Sequence, residues 1–299
     1  MSGLADTTPV IDTALVQALI GAQFPQWSGL AVRPVAESGW DNRTFRLGED
    51  MLVRLPSAAW YAPQVAAEHR WLPVLAPGLP LPIPGPLARG EPGEGYPWPW
   101  TVARWIEGET ATSAGVAGEA AFGRDLARFL AALQGLDAAE GPAPGRRNFH
   151  RGGDLATYDG ETRAAIERLD DRFEREAVTA VWEAALVARF EGPAVWVHGD
   201  VAPGNLLVRD GRLCAVIDFG CMAVGDPACD LAVAWSFLEG DARAAFRAGL
   251  PLDAGTWARG RGWARWKALI LATGLAQAKA DDLARAEAVL SVVLADPAA

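Results

Sequence analysis

Three polar residues interrupt otherwise apolar sequence at spacings that can gather oxygen ligands. They are Asp200, Asn205 and Asp218, in the stretch VWVHGDVAPGNLLVRDGRLCAVIDFGCMAVGDPACD of residues 195–230. Four residues separate Asp200 from Asn205, and Asp218 follows Asn205 by thirteen positions and opens an Asp-Phe-Gly. One carboxylate and one amide oxygen suit a hard cation such as Mg2+, with a phosphate group and water filling its other positions. Asp200, just upstream in a loop, is placed to orient a hydroxyl nucleophile. The elements that must position these groups are two apolar runs, Leu206–Val208 and Leu213–Ile217, joined by Arg209-Asp210-Gly211-Arg212. That pattern reads as a β-hairpin, which returns Asp218 at its exit to the neighbourhood of Asn205 at its entry.

The same run resembles the aminoglycoside phosphotransferase and choline kinase-like family of small-molecule kinases. The likeness rests on His198-Gly199-Asp200, Asn205, Ile217-Asp218-Phe219-Gly220, Gly225-Asp226-Pro227 and Asp230-Leu231-Ala232. It implies an α+β, bilobal protein-kinase-like fold. Residues 1–107 would form a small antiparallel-sheet lobe with one helix, and residues 108–299 a larger, mostly helical lobe. It further implies transfer of the γ-phosphoryl group of ATP or GTP to a hydroxyl of a small molecule. Asp200 would be the catalytic residue, Asn205 and Asp218 would hold Mg2+, and His198 and Asp230 would support the catalytic loop. Two other readings stay open: a metabolite kinase for a sugar, amino alcohol or hydroxy acid without antibiotic activity, and a non-catalytic nucleotide-binding pseudokinase.

The N-terminal third fits that layout. Residues 11–22 have helical apolar spacing. Strand-like runs follow at 30–35, 44–47 and 51–55, with Gly48-Glu49-Asp50 as a turn. The loop Glu37-Ser38-Gly39-Trp40-Asp41-Asn42 lies where the resemblance puts a phosphate-covering loop, so Ser38, Gly39 and Asn42 are nucleotide-binding candidates. Arg54 stands on the third strand where such kinases carry Lys; guanidinium is always charged and binds phosphate bidentately. Glu68, fourteen residues on and on the polar side of a helix over 62–76, is its natural partner. Pro73 is expected to kink or end that helix. After a Pro/Gly-rich stretch, residues 101–106 read as a buried strand running into a hinge. There the Arg104 carbonyl and the Ile106 amide are the candidates for pairing with adenine.

Residues 116–136 give an amphipathic helix with Phe122, Leu126, Phe129, Leu130 and Leu133 on one stripe. The charged segment 161–190, including Arg163, Glu167, Arg168, Asp171, Glu174 and Arg175, reads as a solvated helical surface. Five residues separate Gly220 from Asp226, too few for a long activation loop, which favours a small-molecule acceptor over a protein. Asp226 before Pro227 reads as a helix cap or a substrate contact. The remainder, 228–294, is helical, with Trp257, Trp263 and Trp266 close together.

Composition sets the outer limits. Lys plus Arg number 27 against 37 Asp plus Glu, a formal net charge of −10, which argues against nucleic acid and admits a cationic acceptor. Glu239, Asp241, Asp281 and Asp282 are acidic residues that could meet one. Three cysteines without metal-ligand spacing read as free thiols. No apolar run reaches the length of a membrane span, and no signal-peptide pattern opens the chain. The expectation is a cytoplasmic protein, a monomer or weak dimer.

Overall fold

The computed structural model describes residues 9–35, 39, 41–170, 173–276 and 280–296. The expectations at Ser38 and Asp171, and at the side chains of Asp281 and Asp282, fall outside that description. The chain divides into two compact units, residues 1–77 with 82–107, and residues 78–81 with 108–299.

The first unit is built on a five-stranded sheet of order β1-β2-β3-β5-β4. Its strands are β1 (Val32–Pro34), β2 (Asn42–Leu47), β3 (Met51–Pro56), β4 (Pro86–Gly90) and β5 (Trp100–Arg104). Every neighbouring pair is antiparallel. Alternation sets the buried face: Phe45, Leu47, Val53, Leu55, Trp100 and Val102 turn inward. Two helices, close to the spans 11–22 and 62–76 expected from the sequence, complete the unit. Helix α1 (Thr13–Gln23) is capped by Asp12, whose side chain accepts from Leu15 N at 2.9 Å, and it buries Val16, Leu19 and Ile20 in the same core. Helix α2 (Ala62–Leu75) runs two residues past Pro73. A proline in the last turn costs little, because few hydrogen bonds remain to be lost beyond it.

The second unit is mostly helical. In chain order it holds β6 (Glu109–Thr110), α3 (Ala111–Ala114), α4 (Ala120–Gln134), α5 (Asp159–Glu167) and α6 (Arg175–Val187). Then come β7 (Val195–Val197), β8 (Leu206–Arg209), β9 (Arg212–Val216) and β10 (Ala223–Gly225). Helices α7 (Val233–Ser236), α8 (Gly240–Gly249), α9 (Ala254–Ala272) and α10 (Ala280–Ala295) close the chain. The β8–β9 hairpin turns through Asp210 and Gly211 at φ +51° and +70°, the left-handed pair that a tight two-residue hairpin requires. Arg212 fixes the hairpin to α4 with a bidentate pair to Asp125 at 2.7 and 2.8 Å. The two-residue β6 on β8 and the pairing of β10 with β7 are too short to leave a periodic trace in sequence. Helix α9 is buried around most of its circumference, from Trp257 to Ile270. Trp263 and Trp266 share a core with Trp182, Val197, Ala223 and Cys229.

Candidate active site

The loop leaving β7 is held from beneath by one carboxylate. Asp230 is fully buried; its Oδ2 accepts from His198 N at 2.8 Å and its Oδ1 from Gly199 N at 2.7 Å. Burial pushes the Asp230 pKa up, and the two backbone donors and nearby His198 offset part of that rise. The His198 ring spans the loop: Nε2 lies 3.0 Å from Ile217 O, and Nδ1 accepts from Asp200 N at 3.2 Å. This network assigns the ring hydrogen to Nε2. The ring also packs on Phe219, with centroids 4.5 Å apart. His198 and Asp230 therefore act on Asp200 through the backbone. Gly199 sits at φ +84°, where an added Cβ would lie 2.3 Å from Cys221 O. Both the backbone conformation and the space explain why no larger residue stands before Asp200.

Asp200 and Asn205 meet directly. Asn205 Nδ2 donates to Asp200 O at 3.0 Å and to Asp200 Oδ2 at 3.2 Å. With its NH2 group committed there, Asn205 keeps its Oδ1 as a ligand oxygen. Ile217 N donates to Asn205 O at 2.9 Å, so the hairpin's two ends are joined by the backbone one residue before Asp218. Asp218 holds φ +66°, an uncommon conformation for a residue with a side chain, of the kind that clusters at functional sites. An amide oxygen and a carboxylate carried at adjoining hairpin ends fit a hard divalent cation that takes its other ligands from phosphate and water. Among the described residues, no three His, Cys, Asp or Glu side chains gather into a metal cluster.

A residue outside the sequence-level candidates completes this group. Lys267, on α9, places Nζ 3.1 Å from Asp200 Oδ1, with side-chain exposures of 49 % and 35 %. Desolvation pushes the Asp200 pKa up. The Lys267 charge, followed by that of Arg151, outweighs it and brings the pKa down to about 2. The carboxylate is thus an anion at any physiological pH.

In the first unit, Arg54 on β3 and Glu68 on α2 form an ion pair at 3.0 Å, with side chains 13 % and 8 % exposed. Glu68 is therefore on the buried face of α2 with Val65 and Trp71, not on a polar one. Asn42 is buried at the start of β2 opposite Pro56, and the Gly39 carbonyl accepts from Arg43 Nη1 at 3.0 Å. At the end of β5, Arg104 N donates to Gly85 O at 3.0 Å and Trp105 N to Asp50 O at 2.8 Å; Ile106 follows, half-buried.

Asp226 caps the turn that follows it. Its Oδ1 accepts from Ala228 N at 3.1 Å, and both its oxygens bind Arg259, at 2.6 and 3.1 Å. With both side chains 6 % exposed, this carboxylate is a cap, the first of its two sequence readings, and a buried ion-pair partner. Arg259 and Arg151 escaped the sequence reading along with Lys267. One signal was available for the last of these: of the 27 basic residues only Lys267 and Lys279 are lysine. A compact ammonium retained in a chain that otherwise uses arginine marks a position where the guanidinium fork does not serve.

An antiparallel sheet unit, followed by a helical unit carrying the His-Gly-Asp, Asn and Asp-Phe-Gly groups, defines a kinase-like fold of the small-molecule class. The chain belongs to the phosphotransferase enzyme family known as APH, whose profile matches residues 32–269. An aminoglycoside 3'-phosphotransferase of Escherichia coli is 40 % identical over 85 residues, 27 % of this chain and 31 % of that relative's length. The fold matches the structure of the GDP and kanamycin complex of APH(2")-IIia at 20 % identity and a TM-score of 0.74, covering 93 % of this chain and 97 % of that one. It also matches macrolide 2'-phosphotransferase MphH from Brachybacterium faecium, at 23 % identity and a TM-score of 0.60, over 96 % and 99 % of the two chains. Among the described residues no helix is long and apolar enough to cross a membrane.

Proposed function

We propose that this protein transfers the γ-phosphoryl group of a purine nucleoside triphosphate to a hydroxyl of a small molecule. The observation that carries the reading is the joint arrangement of Asp200, Asn205 and the Asp218 hairpin end over the Asp230 brace. Family membership and relatives described with GDP support a nucleotide co-substrate.

In this reading Asp200 accepts a hydrogen bond from the acceptor hydroxyl and aims its oxygen at the γ-phosphorus. A new P–O bond forms, the bond to the β-phosphate oxygen breaks, and the nucleoside diphosphate leaves with that oxygen. With a pKa of about 2, Asp200 is too weak a base to abstract the proton early. It takes the proton only as the new bond matures, and its main contribution is orientation. Asn205 fixes the carboxylate through its amide, and Lys267 lowers its basicity. Arg54, braced by Glu68, binds nucleotide phosphates. A Mg2+ ion held by Asn205 and Asp218 would neutralise charge on the phosphates. Residues 1–107 would serve the nucleotide and residues 108–299 the acceptor.

The test is phosphoryl transfer from γ-labelled ATP and GTP to a panel of hydroxylated acceptors. Asp200→Asn is expected to lower kcat by roughly 100-fold or more while nucleotide affinity stays within about threefold. Near-normal turnover by that variant, or an absence of labelled product with every acceptor, would overturn the assignment.

A further inference from the structure

The second unit contains a pocket of about 250 Å³ with Asp200 on its wall. Its lining is apolar and cationic. Trp263, Trp266 and Leu271 supply the apolar surface, and Arg151, Lys267 and Arg285 supply three positive charges. Asp200 is the one acidic residue in the described lining, and Lys267 already neutralises it at 3.1 Å. With Lys267 set against Asp200, Arg151 and Arg285 leave the described lining with a surplus of positive charge.

Arg151 is held in place by a built loop. Phe149 and His150 are consecutive residues at φ +53° and +51°, a strained pair. The fully buried Asn148 secures them, donating from Nδ2 to Arg151 O at 3.0 Å and to Cys221 O at 3.3 Å. The guanidinium then lies over the Trp263 and Trp266 rings, 5.1 and 4.9 Å from their centroids. Two donors on these lining residues, Arg151 Nη1 and Trp263 Nε1, are buried without a hydrogen-bond partner. Buried donors are ordinarily satisfied, so these two leave hydrogen-bonding capacity beside the pocket that the described residues do not use.

We infer that the molecule phosphorylated carries an anionic group, of the carboxylate kind, on an apolar body that bears the reacting hydroxyl. This rests on the phosphotransfer reading above and names its acceptor class. The carboxylate would take charge-assisted hydrogen bonds from Arg151 and the Trp263 indole, the apolar body would lie on Trp266 and Leu271, and the hydroxyl would reach Asp200. A polyamine would meet two cations and no free carboxylate on the described walls.

A matched series isolates the charge: 4-(hydroxymethyl)benzoate, 4-(hydroxymethyl)benzamide and 4-(hydroxymethyl)benzylamine, with kanamycin as a polycation reference. Binding is measured by titration calorimetry on the whole protein saturated with Mg–ADP, and turnover by transfer from γ-labelled ATP. The carboxylate is expected to bind at least about tenfold more tightly than the amide, and the amine more weakly still. Arg151→Gln should bring the carboxylate to the level of the amide. Arg285→Gln, at an exposed position that folding tolerates, should shrink the preference by about threefold. Equal or tighter binding of the amine or of kanamycin would overturn the inference, as would no binding of the series at about 10 mM. Selective carboxylate binding without transfer to any acceptor would instead defeat the phosphotransfer reading and leave the pocket's preference intact.

Discussion

Replacing Gly199 by alanine perturbs the geometry of the loop that carries Asp200 without removing any charged group. Two costs arise at once. A side chain at φ +84° costs roughly 1–2 kcal/mol by itself. The new Cβ would lie 2.3 Å from Cys221 O, 2.9 Å from its carbonyl carbon and 3.0 Å from Arg151 Cβ. Restoring ordinary contact requires about 1 Å of movement, and the loop must make it while Gly199 N is tied to Asp230 Oδ1 at 2.7 Å. A displacement of that size at an aligned nucleophile costs on the order of 100-fold in rate. The expected variant is folded but destabilised by about 2 kcal/mol or more, with Tm lowered by roughly 4–8 °C. Its kcat should fall about 100-fold, both for acceptor phosphorylation and for hydrolysis of γ-labelled nucleotide by water. Nucleotide affinity by calorimetry should stay within about threefold, because the Arg54–Glu68 pair is untouched. Turnover within about threefold of the parent at unchanged Tm would refute the claim that this backbone position aims Asp200.

Three further perturbations address the surrounding groups. Asp230→Asn replaces one of two accepting oxygens by an NH2 group that faces a backbone N–H. Melting and turnover should register a loss of about 1–3 kcal/mol and a tenfold or greater fall in kcat, and unchanged values of both would contradict the brace. Lys267→Met removes a cation that favours the Asp200 anion, so the Asp200 pKa rises from about 2, and solvent screening limits the rise to roughly one pH unit. The depressed pKa adds stability that is present above about pH 4 and lost as pH falls towards 2. Activity should therefore show no limb from this group between about pH 5 and 8 in either protein; a new acid limb above about pH 5 in the variant would exclude the assignment. Arg54→Lys should retain charge at the phosphates and raise the nucleotide KM less than Arg54→Met does, with the order reversed if Arg54 serves only to pack β3 against α2.

Much of this organisation is legible in the amino-acid sequence, and the exceptions have physical causes. The hairpin was readable because Asp210-Gly211 dictates a turn and the flanking runs are apolar. That local fact carries Asn205 and Asp218 to adjoining ends. The first-unit strands were readable from alternation to within a few residues. The pairing of Arg54 with Glu68 follows from the resemblance to kinases, but the face does not: a buried carboxylate looks no different from a solvated one until its cation is packed against it. Lys267 and Arg259 lie 67 and 33 residues from the carboxylates they bind, and no local pattern encodes such a meeting. Helix α9 hides them further, because a helix buried on nearly all sides shows no amphipathic stripe against which a polar residue stands out. Arg151 was lost in a Pro/Gly/Arg-rich loop whose order depends on Asn148, a residue whose role appears only with its partners in view.

Helix α9 fastens two acidic groups with one rod: Arg259 clasps Asp226, and eight residues later Lys267 reaches Asp200. Eight residues span about 12 Å of axis, and each added residue would turn everything beyond it by about 100°. Substitutions along the intervening segment leave this phase alone, but insertion or deletion of a single residue there swings the ammonium away from the Asp200 carboxylate. Length between the two clasps is therefore under tighter constraint than composition, and homologues are expected to vary in what they write between these positions long before they vary in how much.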